Sequence, residues 1–308
     1  MSRKKDKKIS KEINKKLALR YILAGIIIFL LLAYYFWPKE SREWSVSEYG
    51  LLSYPENRGK VDVKLLKTET GDNYTLETIS FQSKDYTVEG LLRVPVSGKK
   101  VPGVVILPGA TVPMEGTQTL AEIFSNAGYA SLGIEQRNRG GVSPEYDHEL
   151  FKDGKEPIEH KMVFDALRAV DVLKQDQRVD PGRIAIVGES NGGRFAIIAA
   201  AIDPSIAGVI GISTSGYNSR EEITNIRDNT LIRFYRSIDP DEYLDLLPPR
   251  KLVMMHSIND NIIGIDIAEA TFNKAKEPKK LYKIETGTHG FSEGMRAPLV
   301  NELNLIFR

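Results

Sequence analysis

The stretch RIAIVGESNGGRFAIIAAA, residues 183–201, constrains this chain more than any other. It opens on an apolar, β-branched run, Ile184-Ala185-Ile186-Val187, which reads as a buried strand. It turns through Gly188-Glu189-Ser190-Asn191-Gly192-Gly193 and resumes as an alanine-rich apolar run of helical character from Phe195 to Ala201. Strand, tight turn and helix are the context in which a G-x-S-x-G pattern carries chemistry. The turn forces Ser190 into a strained backbone conformation, so that its hydroxyl stands clear of the sheet. Gly188 and Gly192 are required because a Cβ at either place would collide with the neighbouring strand or helix. A phosphate-binding loop would instead end in Lys followed by Ser or Thr. Here Gly193 is followed by Arg194 and Phe195.

The 308 residues, 42% hydrophobic and 27% charged, suffice for one large domain or two small ones. The formal net charge of +1 is unevenly placed. Residues 1–20 carry nine Lys or Arg against two acids, leaving the remainder mildly acidic, which argues against a nucleic-acid partner. The absence of cysteine rules out a disulfide framework, a thiol nucleophile and thiolate metal ligation.

Residues 21–37, YILAGIIIFLLLAYYFW, contain no charge. With the preceding Leu17 to Arg20, whose long side chain can reach the interface, they approach the ~20 residues that a bilayer span requires. Tyr34, Tyr35 and Trp37 lie where an interfacial aromatic belt belongs, and Pro38 stops the helix. A cleavage site wants small residues, and AYYFWPKE is bulky. The expected organisation is therefore a basic cytoplasmic tail (1–20), a transmembrane anchor (21–37), a stalk and lead-in (38–75) and a globular domain (76–308). The nine basic residues before the span keep the N-terminus inside the cell and place the domain outside.

Within the domain, residues 75–83 and 86–94 alternate polar and apolar about a short polar turn, predicting an antiparallel hairpin. Continuous apolar runs at 101–107, 129–134, 184–187, 208–213 and 251–256 suit strands buried on both faces, and 280–285 supplies the last strand. Helical spacing is read at 119–127, 160–174, 223–235, 267–276 and 297–307. Strands alternating with helices predict an α/β fold with a mostly parallel central sheet, helices on both faces and the hairpin as an antiparallel edge.

A nucleophilic Ser190 needs a base, and the chain has four histidines. His148 and His160 precede the nucleophile. His256 ends a strand, and His289 sits in Thr286-Gly287-Thr288-His289-Gly290-Phe291, directly after the last one. Catalytic groups gather at the carboxyl ends of parallel strands, which favours His256 and His289, and the Gly-flanked setting favours His289 further. The base needs a carboxylate to fix its tautomer. Asp260 follows the penultimate strand; Asp266 is the alternative, though it reads as a residue of a helix start.

Strand, G-x-S-x-G, helix, Asp, His in that chain order resembles the α/β-hydrolase superfamily over residues 76–308. GESNGG, KLVMMHSINDNIIG and GTHGF bring the chain nearest to its dienelactone hydrolase and prolyl-oligopeptidase-like branch. The resemblance implies Ser190 as nucleophile, Asp260 as orienting acid, His289 as base and His256 as a structural histidine. It also implies an oxyanion hole made by the N–H of Asn191 and one N–H from Leu107-Pro108-Gly109-Ala110-Thr111, where Ala110 is the choice; many relatives have His-Gly in place of Leu-Pro-Gly. No metal or other cofactor is required. The implied substrate is a small ester. A short peptide is the alternative, and a catalytically silent binding protein would have lost one of the three residues. Glu135, Arg137, Asn138 and Arg139 fall in a loop expected near the site, where they could meet a charged substrate group.

Overall fold

A computed structural model describes residues 43–308 and, before them, residue 23 and residues 25–29, which are helical. Most of the expected 21–37 span, together with the basic tail, lies outside the described residues; among those described, no helix is long and apolar enough to cross a membrane. Two compact units are distinguished, residues 1–43 and 44–308, and the second carries the chemistry.

The second compact unit begins at Trp44 and so includes residues 44–75 of the expected stalk and lead-in. Trp44 packs against the rings of Phe151 and His160, with centroids 6.2 and 5.6 Å away. A two-stranded ribbon, β1 (Ser45–Val46) and β2 (Leu52–Ser53), follows it. The Leu52 N–H donates to the Tyr243 hydroxyl, and the Tyr54 hydroxyl donates to the His160 carbonyl. Long-range pairings of this kind leave no local pattern in a sequence.

The main sheet has nine strands in the order β11-β10-β9-β8-β6-β7-β5-β4-β3. The expected hairpin is β4 (Tyr74–Ser83) and β5 (Tyr86–Pro95), paired antiparallel. The edge, however, is β3 (Val63–Thr70), exposed along its whole length, so the hairpin lies one strand inside the position expected for it. From β6 onward the strands run parallel to one another: β6 (Val101–Leu107), β7 (Ala130–Ile134), β8 (Val179–Glu189), β9 (Gly208–Ile212), β10 (Lys251–Ser257) and β11 (Lys279–Ile284). β6, β7 and β9 are buried throughout.

Alternate residues of each inner strand feed two different cores, as side chains that alternate across a pleated sheet must. Val105, Leu107, Ile184, Ile186, Val209 and Met254 join one core with the helices α3 (Ile158–Gln175) and α4 (Asn191–Ile202). Val104, Ile106, Ala185, Val187, Ile210 and Met255 join the other with α1 (Gln118–Asn126) and α7 (Arg296–Ile306). Further helices of this unit are α2 (Pro144–Lys152), α5 (Asn229–Ile238) and α6 (Ile265–Lys274).

α2 was not expected, and it carries His148. Its buried Asp147 caps α3 from outside, its carboxylate accepting the N–H groups of Ile158 and Glu159 at 2.8 and 2.9 Å. The helix expected over 223–235 is instead a single turn, Ser219–Glu222, and the later α5, whose first N–H groups are capped by Asp228.

Candidate active site

The turn from β8 to α4 has the geometry its sequence demands. Ser190 sits at φ 51°, ψ −120°, a conformation costly for a residue with a Cβ. Its N–H donates to the Ile212 carbonyl at 2.9 Å, and its own carbonyl accepts the Thr214 hydroxyl at 2.8 Å, so the end of β9 holds the strain in place. A Cβ on Gly188 would fall on the Gly192 backbone, and one on Gly192 on the carbonyl oxygens of Leu107 and Pro108. The two glycines thus let the strand, the helix and the loop after β6 close around Ser190.

That loop lies against the serine: a Cβ on Gly109 would be 3.4 Å from the Ser190 Cβ. Its course is fixed from the segment after β7. The Gln136 amide donates to the Pro108 carbonyl, and Thr111 N–H donates to the Arg139 carbonyl at 2.6 Å. The Asn191 side chain completes the tie by donating to the Gly140 carbonyl at 3.0 Å and accepting from Arg194 at 2.7 Å. Among the described residues the backbone N–H groups of Ala110 and Asn191 have no hydrogen-bond partner.

Asp260 and His289 come together at the ends of β10 and β11. His289 Nδ1 lies 3.0 and 2.9 Å from the two carboxylate oxygens of Asp260. An ionised carboxylate only accepts, so Nδ1 carries the proton and Nε2 keeps its lone pair. Burial alone would raise the Asp260 pKa, but the N–H groups of Ile263 and Ile262, each 2.9 Å from Oδ1, and the His289 ring hold it below the usual carboxylate range. The Asp260 side chain is fully buried, whereas that of His289 is 24% exposed, as a base facing substrate should be. Among the described residues no hydrogen bond joins the Ser190 hydroxyl to His289.

His256 is placed otherwise. It is buried, its Nε2 donates to the Ile263 carbonyl at 2.7 Å, and the same nitrogen lies 3.3 Å from Asp260. Its Nδ1 has no hydrogen-bond partner among the described residues. It braces the turn whose N–H groups hold Asp260. Asp266 lies in the first turn of α6.

Three side chains that sequence reasoning did not single out hold the histidine loop. Ser213 Oγ accepts the Gly290 N–H at 2.9 Å, Glu189 accepts the Phe291 N–H at 3.3 Å, and Ser257 Oγ donates to the Gly287 carbonyl at 2.8 Å. Burial raises the Glu189 pKa, against the pull of that N–H and of His289. Ser213 and Ser257 stand at or just beyond strand ends and have no local sequence signal. Of the charged loop, Arg137 is not available to substrate: it is buried, donating to Asp165 at 2.6 and 2.8 Å and to Asp85 at 3.0 Å. Glu135 accepts the Met114 N–H at 2.7 Å, and Asn138 and Arg139 lie in the left-handed region with φ of 51° and 47°. Among the described residues no cluster of His, Asp or Glu could hold a metal ion.

A mostly parallel sheet with an acute strand-to-helix turn at a serine, followed in chain order by a paired aspartate and histidine, defines an α/β-hydrolase. The chain matches the acetyl xylan esterase (AXE1) family over residues 57–245 and belongs to it, which makes it an esterase-type hydrolase. The matched region includes Ser190 and ends before Asp260 and His289. Among individual proteins, it is 26% identical to the uncharacterized protein YfhR of Escherichia coli O157:H7 over 229 residues, 71% of this chain and 75% of that one. It is 31% identical to the putative hydrolase YtaP of Bacillus subtilis (strain 168) over 94 residues, 29% of this chain and 31% of that one. Similar solved folds include an acetyl xylan esterase from Paenibacillus sp. R4 (TM-score 0.68, 16% identity, 81% of this chain and 90% of that one). A glucuronoyl esterase from Solibacter usitatus follows (TM-score 0.63, 16% identity, 86% of this chain and 90% of that one).

Proposed function

We propose that this protein is a serine esterase that removes a small acyl group through an acyl-enzyme on Ser190. The observation that carries the reading is the Asp260–His289 pair, with the proton on Nδ1, placed two and three strands along the sheet from the strained Ser190 turn. His289 Nε2 takes the Ser190 proton as Oγ attacks the ester carbonyl. The N–H groups of Asn191 and Ala110 receive the oxyanion, helped by the N-terminal dipole of α4. Collapse breaks the bond to the alcohol oxygen, and His289 returns the proton to that oxygen. Water, activated by the same nitrogen, then frees the acid and restores Ser190. The acetyl group in the family's name fits a small acyl group. So does the segment after β9: it carries no long apolar lid, and the buried residues of α5, Phe234 and Ile238, pack with Phe151.

Ser190 is expected to be labelled by a fluorophosphonate, and p-nitrophenyl esters are expected to be hydrolysed faster as the acyl chain shortens. A rate maximum at long chains would count against the small-acyl reading, and preferential cleavage of aminoacyl amides would favour a peptidase.

The uncharged run over residues 21–37, preceded by nine basic residues, supports a single-span tether with the esterase domain outside the cell. Protease added to intact cells is expected to digest the domain and leave a short membrane-held fragment. Protection of the domain until lysis would reverse the topology.

A further inference from the structure

Arg194 is a buried cation that the proposed chemistry does not itself use. It stands near the start of α4, 3% exposed, and pairs with Glu159 in the first turn of α3, 1% exposed. One bond joins them, from Nη2 to Oε2 at 2.7 Å. Glu159 Oε1 and Arg194 Nε have no hydrogen-bond partner among the described residues. An arginine and a carboxylate free to choose their geometry often make two parallel bonds. Here the guanidinium is shared out instead. Nη1 donates to Asn191 Oδ1 at 2.7 Å, Nη2 donates also to the Ile238 carbonyl at 2.9 Å, and the Tyr217 ring lies over it, its centroid 4.0 Å from Cζ. Buried polar atoms without partners cost stability. Apolar residues of similar volume often serve a core as well as a buried ion pair does, or better. Stability therefore gives this arrangement no reason, and what it holds is Asn191.

Asn191 joins the two halves of the oxyanion hole. Its backbone N–H is one donor, and its side-chain amide donates to the Gly140 carbonyl at 3.0 Å. Gly140 lies against the residue that carries the other donor: a Cβ on it would be 3.3 Å from Ala110 Cα. The preceding carbonyl, of Arg139, accepts the Thr111 N–H at 2.6 Å.

Resting on the serine-esterase reading above, we infer that Arg194, anchored by Glu159, is a positioning residue for the oxyanion hole. It fixes the Asn191 carboxamide, which sets the spacing between the Asn191 and Ala110 N–H groups. The carboxamide has an oxygen on one side and two N–H donors on the other. Turned over, it would set its oxygen against the Gly140 carbonyl, and two acceptors repel. A donor from Arg194 assigns the oxygen to one side and leaves Nδ2 facing Gly140. The spacing matters because oxyanion donors act through hydrogen bonds of 2.7–3.1 Å, made without rearrangement as the charge develops.

The test is a cycle of variants in the full chain, assayed with p-nitrophenyl acetate. Glu159→Leu with Arg194→Met exchanges the buried pair for apolar residues, and a melting curve verifies the fold. Its kcat is expected to fall about a hundredfold, the lower end of the cost of one lost oxyanion donor, with KM nearly unchanged. Fluorophosphonate labelling of Ser190 should slow in parallel, since the phosphoryl oxygen uses the same donors. A loosened core would not slow both and spare KM. Asn191→Ala keeps the backbone N–H and loses the carboxamide, and it should show the same loss. In the triple variant the losses should not multiply, because the pair acts through Asn191. If the pair variant does not fold, Arg194→Lys replaces it. Lysine keeps the charge opposite Glu159 but gives up the fork that reaches Asn191, and the same loss is expected. Unchanged kcat in the folded pair variant, in its lysine replacement or in Asn191→Ala overturns the positioning role. So do losses that multiply. In each case, wild-type labelling at Ser190 leaves the esterase reading standing. Failure of the wild type to label overturns that reading and the positioning role with it.

Discussion

Ser190→Ala is expected to lower ester turnover by about a million-fold, the loss seen when a nucleophile that acts as one unit with its base is removed. Fluorophosphonate labelling should vanish with it. The variant should fold, because the hydrogen bonds at this position are made by the Ser190 backbone, to Ile212 and from Thr214, and alanine keeps both. The strained φ of 51° remains with alanine, so no strain is released. The residual rate should come from Asn191 and Ala110, which can still polarise a bound carbonyl. Labelling that persists in the variant would move the nucleophile elsewhere.

What was legible in the sequence follows from how locally each feature is determined. The inner strands could be read because a strand buried on both faces is apolar at every position, as VPGVVIL of β6 and GVIGI of β9 are. The Ser190 turn could be read because its glycines answer to contacts within the motif and with one adjoining loop. The strand β3 could not be: VKLLKTET is exposed on both faces, so no burial pattern marks it, and only its pairing with β4 defines it. α2 escaped for the opposite reason. In PEYDHELFK the buried residues include the charged Asp147, whose burial makes sense only once the N-terminus of α3 is seen above it. Arg137 reads as a loop cation able to meet a charged substrate group, because its partners, Asp165 and Asp85, are 28 and 52 residues distant. The supports of the site were hidden likewise. Gln136 beneath the Pro108 carbonyl and Ser213 beneath the Gly290 N–H are long-range contacts between loops.

Asp260→Asn is expected to slow turnover by up to about ten thousand-fold while leaving the fold intact, whereas Asp266→Asn should change little. An amide can present a donor as well as an acceptor to His289 Nδ1. It therefore no longer forces the proton onto Nδ1, and the lone pair that must face Ser190 is lost from Nε2 in the competing tautomer. The loss of charge also removes the stabilisation of the imidazolium formed as Ser190 gives up its proton. Ile262 and Ile263 would still donate to the remaining carbonyl oxygen, and His256 would still brace their turn through the Ile263 carbonyl. The effect should therefore appear in kcat with little change in melting temperature. The pH profile sharpens the test. Asp260 is held ionised below the usual carboxylate range, so its own protonation should not limit wild-type activity near neutrality. Asp266 lies in the first turn of α6, and its replacement should leave both kcat and the pH profile in place. Reversal of the two effects would assign the orienting carboxylate to Asp266.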